Sequence, residues 1–303
     1  MLNEIAARIE TEADDDDAVI LRAVFAMFRK VPVNELVQPL SWLTDRWADL
    51  AGDALGWRVV GATATRFARA GRDTRERIRR ELGAAAADRI TSFLWQGPDP
   101  YAPEFRLEAL VRDHVENPEK PWTALVELVF PIPDDPGGWD RLVQESDAIS
   151  ARFPFDTAYL SPGLLCGDEA LEREAGELIG PLAMRHPGLD VANNTTTCYF
   201  LGRRTRGARW ITYLSGDIAA GVELSPLEAM EGVETRETEG AVRIQASERP
   251  EIGDTNRRID TPGLRAVAAA LEPITFFGDH NLALLLRDDQ EMRARWERRF
   301  LAE

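Results

Sequence analysis

Lysine is almost absent from this 303-residue chain: Lys30 and Lys120 stand alone, and all the other basic residues are arginines. That leaves almost no side chain for Schiff-base or phosphate-loop lysine chemistry. Cysteine is equally scarce. Cys166 and Cys198 match no redox or zinc spacing, and a secreted disulfide scaffold carries more of them, so both read as buried thiols. None of the three histidines, His114, His186 and His280, has a histidine or cysteine at metal-ligand spacing. No run reaches the roughly 18 to 20 apolar residues of a membrane-spanning helix, and Met1 to Asp17 lacks a basic region followed by an apolar stretch. The expectation is a soluble, cytoplasmic protein with no membrane partner.

Catalytic motifs are missing as well. Ser161 in YLSPG and Ser215 in YLSGD lack the glycine two positions earlier that a nucleophile elbow requires. No glycine-rich loop ends in lysine and serine or threonine, and no strand leads into a dinucleotide fingerprint, so no nucleotide cofactor is expected. The reading assigns no catalytic residue, cofactor or metal. One enzymatic alternative stays open, Cys166 or Cys198 as a nucleophile paired with His186.

What is present suits a globular core: 44% of residues are hydrophobic and 29% charged. The charge is lopsided, with 52 acidic against 36 basic residues and a formal net of -16, so a polyanion is repelled on average and a basic partner attracted.

The pattern along the chain is mixed. Val19 to Arg29 (VILRAVFAMFR) reads as a buried strand or a capped helix. Leu36, Leu40, Leu43, Trp47 and Leu50 recur at helical spacing, with Gly52 as the stop. Trp57 to Phe67 reads as extended, Thr74 to Ala87 as a charged helix, and Ile90 to Trp95 and Phe105 to Val111 as strands. After Asn117 to Pro121 come a strand at Thr123 to Phe130, a helix carrying Trp139, Leu142, Val143, Ile149 and Phe153, and a strand at Thr157 to Leu165. A helix capped by Asp168 follows, with Leu171, Ala175, Leu178 and Leu182 on one face, ended by His186, Pro187 and Gly188. Asp190 to Leu201 reads as extended, Trp210 to Ile218 as a short helix, Ala241 to Ala246 as a strand, and Pro262 to Leu271 and Asp289 to Leu301 as helices, the last burying Met292, Trp296 and Phe300.

This order predicts an α+β fold, with mixed, largely antiparallel sheet flanked by helices, and the recurring strand, helix, strand order raises a duplicated unit. The whole chain, 1–303, reads as one domain, with a subdivision at 1–116 and 117–303 as an option.

Three charge clusters stand out. Asp14 to Asp17 are consecutive, which suits a solvated run better than a cation site, whose ligands are spaced around a turn. Arg66 to Arg80 holds seven arginines, able to meet phosphates or to pair with acidic neighbours; Arg203, Arg204, Arg206 and Arg209 can pair inside the protein. Glu223, Glu228, Glu231, Glu234, Glu237 and Glu239 contain only Arg236 among them and read as an acidic loop, either a solvated surface or a docking face for a basic partner.

WTALVELVFPIP, FPFDTAYLSPGL, HPGLDVANN, LGRRTRGARWITYLSGD and IQASERPEIGDTNR, between Thr123 and Arg258, stand in the order and spacing of a known group. Through these phrases the chain resembles the type VI immunity family, bacterial proteins encoded beside type VI secretion effectors. With Leu21 to Val111 fitting as strand, helix and strand, the resemblance spans nearly the whole chain and favours a strand at Val19 to Arg29. It implies a non-enzymatic protein that binds and blocks a cognate effector toxin. Some relatives accompany restriction-endonuclease-like nucleases, so a basic nuclease is the expected partner, and nucleic acid is not. The family shares no catalytic motif; its phrases imply fold elements, with Gly188 and Gly207 in turns and Trp210 and Leu214 in the core.

Overall fold

A computed structural model describes residues 2, 4–5, 9, 19–61, 63–64, 66–84, 91–111, 119–166, 172–191, 193–278 and 290–301. Asp14 to Asp17, Asp168, Leu171, His114 and His280 lie outside these residues, as do the side chain of Ala175 and the stretch around Ile90.

Val19–Arg29 forms β1, and the sequence leaves it ambiguous for a physical reason. Its side chains are buried on both faces, so no polar residue marks the alternation of a strand. Phe25 and Met27 enter one core, and Val24, Ala26 and Phe28 another. The strand sits at the centre of one antiparallel sheet.

The other strands are β2 (Trp57–Val60), β3 (Ala68–Arg69), β4 (Thr91–Gly97), β5 (Phe105–Val111), β6 (Ala124–Phe130), β7 (Thr157–Cys166), β8 (Ile211–Ser215), β9 (Glu234–Thr238) and β10 (Ala241–Gln245). Among the described residues they form one open sheet of ten strands in the order β3-β2-β4-β5-β6-β1-β7-β8-β10-β9. β1 pairs with β6 on one side and β7 on the other, so the first strand among the described residues is enclosed by two strands that follow it only after four others. Beyond that centre the two halves run oppositely. The first reaches its edge strand early and returns inward through β4 and β5, whereas the second starts beside β1 and moves outward.

Helices cover the sheet where their apolar stripes dictate. In α1 (Val33–Ala51), Leu36, Leu40, Leu43 and Trp47 are buried, and Trp47 meets Phe130 edge-on at 5.3 Å. α2 (Thr74–Gly83) buries Ile78 and Leu82 beside it. α3 (Pro136–Ser150) starts where the Asp135 carboxylate accepts the Gly138 N–H at 2.8 Å, and its Trp139 meets Trp210 at 5.1 Å. α4 (Glu172–Arg185) packs Ile179 and Leu182 with Val19, Leu21 and Leu164. α8 (Pro262–Leu271) sets Leu264, Val267 and Leu271 on Leu214 and Ile244, behind the small helices α6 (Gly216–Ala219) and α7 (Ser225–Glu228). α9 (Gln290–Glu297) brings Trp296 to the core of α4, with Met292 half-buried beside it, while Phe300 joins α8.

Several sequence expectations are corrected. Trp210 to Ile218 is not a helix: Ile211–Ser215 is β8, buried throughout, because β-branched Ile211 and Thr212 and aromatic Tyr213 suit a covered strand, and helix begins only at Gly216. Asp190 to Leu201 is not extended throughout. Asn193 accepts the Thr196 N–H at 3.0 Å and caps α5 (Asn194–Thr197). Of Trp57 to Phe67, Trp57–Val60 is strand, and the other described residues of that range are not. The acidic segment is not a loop: it holds α7 and β9.

Candidate functional site

Two concentrations of charge dominate the second half of the chain, one buried and one exposed. The buried one begins at Gly163, where β7 has passed the end of β8 and the backbone of Asp190 takes the vacant place. Leu164 N–H donates to the Asp190 carbonyl and Asp190 N–H to that of Pro162, at 2.8 and 2.9 Å. Gly163 lies four residues from Tyr159 on the same face of β7, and its bridge partner Asp190 directs its carboxylate to that face, where the Tyr159 hydroxyl donates to it at 2.7 Å. The turn feeding this segment depends on Gly188: a Cβ there would lie 2.1 Å from the Glu251 carbonyl oxygen.

Opposite stands the phrase RRTRGAR. Gly207 has φ +84°, a left-handed conformation, between two buried arginines. Arg209 Nη2 lies 2.9 Å from Asp190 Oδ1, with Arg206 Nη2 at 3.8 Å from the same oxygen. Arg209 Nη1 also donates to the carbonyls of Ala208 and Arg206 at 2.8 and 3.2 Å. Asn194, held by α5, donates to Tyr159 Oη at 2.8 Å and to Glu127 Oε2 at 2.6 Å, and accepts from Arg206. Glu127 is in turn paired with Arg106.

Desolvation alone would raise Asp190, but the Arg209 and Arg206 guanidiniums outweigh it and hold the carboxyl below its ordinary range. Burial, reinforced by the Asp190 charge, pushes Tyr159 well above the usual phenol value, and burial lowers Arg206. These groups are held by one another. Of the network, the sequence reading had only Arg206 and Arg209; a lone carboxylate, Glu127, inside the apolar run ALVELVF was the missed signal.

The exposed concentration is the acidic end of the sheet. Glu223, Glu228, Glu231, Glu234, Glu237 and Glu239 are all exposed. Glu228 closes α7, Glu231 precedes a turn at Gly232 (φ +85°), Glu234 and Glu237 stand on β9, and Glu239 occupies the hairpin turn with Gly240 (φ +76°). β9 splits its pair, with Glu234 on one face and Glu237 on the other. Glu234 meets the buried Arg243 at 3.0 Å, which also reaches Asp147 at 2.7 Å, and Glu223 accepts from the Ser225 hydroxyl. Among the described residues, the side chains of Glu228, Glu231, Glu237 and Glu239 have no hydrogen-bond or ion-pair partner.

Elsewhere the arginines of 66–80 are exposed, yet several are engaged. Arg79 and Arg75 reach Asp45 at 2.7 and 4.0 Å, Arg77 pairs with Asp73, and Arg69 stacks on Trp57. Of the enzymatic alternative, His186 is buried with Nδ1 2.7 Å from the Gly253 carbonyl oxygen, Cys198 is buried with Sγ 3.0 Å from that of Thr195, and Cys166 ends β7 half-buried. Among the described residues no group of three His, Cys, Asp or Glu side chains forms a metal site, and no helix is long and apolar enough to cross a membrane.

Fold and charge together define an open, antiparallel α+β protein with six exposed glutamates at one end of its sheet. The family described as type VI immunity for VRR-NUC matches residues 43–300, and the chain belongs to that family. The fold is similar to that of the Pseudomonas aeruginosa T6SS protein PA0821, with a TM-score of 0.76 at 18% identity, covering 97% of this chain and 85% of that one. Among curated proteins no sequence match is found.

Proposed function

We propose that this type VI immunity protein neutralises its nuclease effector in the cytoplasm by covering it, without catalysis, and that Glu223, Glu228, Glu231, Glu234, Glu237 and Glu239 form the docking face. The observation that supports the face is that all six carboxylates are exposed on one end of the sheet, four of them with no partner among the described residues. A protein that acts on a polyanion presents basic surface to it, and clustered carboxylates compete for that surface and raise the encounter rate. The chain itself binds no nucleic acid in this reading.

Glu228→Lys, Glu231→Lys and Glu239→Lys together spare the Glu234–Arg243 pair. They should slow association with the effector by about tenfold or more and flatten its salt dependence. Unchanged association kinetics would remove these residues from the docking face. Non-catalytic action has its own test: Cys166→Ala, Cys198→Ala and His186→Ala in one folded chain should still protect cells expressing the effector. Protection lost with effector binding retained would assign a catalytic role.

A further inference from the structure

The sheet ends differently at its two edges. β3 is two residues long, too short to template another strand, whereas β9 is a five-residue edge. The hairpin register shows which groups β9 leaves free. Thr238 and Ala241 flank a two-residue turn and form its first hydrogen-bonded pair; Arg236 with Arg243 and Glu234 with Gln245 follow at alternate positions. The N–H and C=O of Thr235 and Glu237 therefore point away from β10, and among the described residues no backbone hydrogen bond reaches them. A free donor–acceptor row thus runs along the strand that carries Glu234 and Glu237, with Glu239 in the turn that follows and Glu228 and Glu231 in the residues that precede it.

We propose that β9 receives a basic strand of the nuclease effector, added to the sheet through the outward amides and carbonyls of Thr235 and Glu237. This rests on the acidic docking face and states how that face is engaged. Backbone pairing supplies the alignment, and the flanking carboxylates select a lysine- or arginine-bearing strand over an apolar one. The same charges disfavour pairing with a second copy of this chain, because like-charged edges repel.

The test uses the full chain with the purified effector encoded beside it. Thr235→Pro deletes one outward donor while leaving the β9–β10 ladder bonds in place, and should weaken binding by about tenfold; Thr235→Val, which keeps the donor, should stay within about twofold. In the unmodified complex, the Thr235 and Glu237 amides should exchange at least tenfold more slowly than in the free chain. Wild-type binding by Thr235→Pro, or exchange of both amides at the free rate in the complex, overturns strand addition. If either result accompanies slowed association by the Glu228, Glu231 and Glu239 reversal, strand addition alone falls; if that reversal also has no effect, the docking face falls with it.

Discussion

Around Asp190 and along β9 the chain uses the same chemistry, carboxylates and guanidiniums, to opposite ends. Asp190, Arg206 and Arg209 are taken out of water, where each charge needs its partner and the loss of one leaves the others stranded. The glutamates of 223–239 stay hydrated, so their mutual repulsion is screened and costs the fold little, while their field extends outward. Burial turns charge into a constraint on shape, and exposure leaves it as a field directed into solvent.

The comparison breaks first at Asp190. Asp190→Asn leaves Arg206 and Arg209 in the interior without their carboxylate and should destabilise the fold by about 3–5 kcal/mol, measured by chemical denaturation. A loss near that of a surface substitution would mean the network is hydrated. Next is Gly188→Ala, which forces the turn that aims Asp190 away from the Glu251 backbone. A loss of about 1–3 kcal/mol is expected; a neutral result would show that the 188–190 segment shifts freely.

pH sharpens the same contrast. Hydrogen bonding from Arg185 holds Asp254 down to about 2, and that from Arg203 does the same for Asp217, against an ordinary value of 3.8. Between those values the unfolded chain binds more protons at these two groups than the native one, so the stability they contribute is fully present above about pH 4 and is lost as pH falls through about 2. Asp254→Asn should flatten the denaturation midpoint across that window; an unchanged slope would assign the acid sensitivity elsewhere. The smallest effect belongs to the edge. Glu228→Lys, Glu231→Lys and Glu239→Lys should alter unfolding free energy by only about 0.5 kcal/mol each while slowing effector association. A large loss of stability would show that these carboxylates hold the fold.

Much of the architecture is legible before any coordinates. The stripe of α1, the turn at Gly188 and the core places of Trp210 and Leu214 follow from spacing, residue type and resemblance and appear as expected, whereas Gly207, expected in a turn, is a left-handed residue in an irregular stretch. Local readings failed where the environment overrode them. Residues 211–215 lie under cover on both faces, so apolar content without polar alternation gave no period to choose strand from helix. Of the candidate site, the six glutamates are visible in the sequence as a cluster, but composition alone places them in a loop. Nothing local distinguishes an exposed, charge-rich edge strand from a solvated loop, since both lack an apolar face.

By itself the sequence determined the class of the fold, the family and the excess of acid, because these follow from composition, periodicity and the order of recurring phrases. Tertiary structure alone decided which charges are spent inside and which are offered outside. Arg206 and Glu231 are both ionic side chains in polar stretches, and only the pairing of distant segments, Asp190 beside β7 and β9 at the sheet's end, places one beyond the reach of water and the other in it.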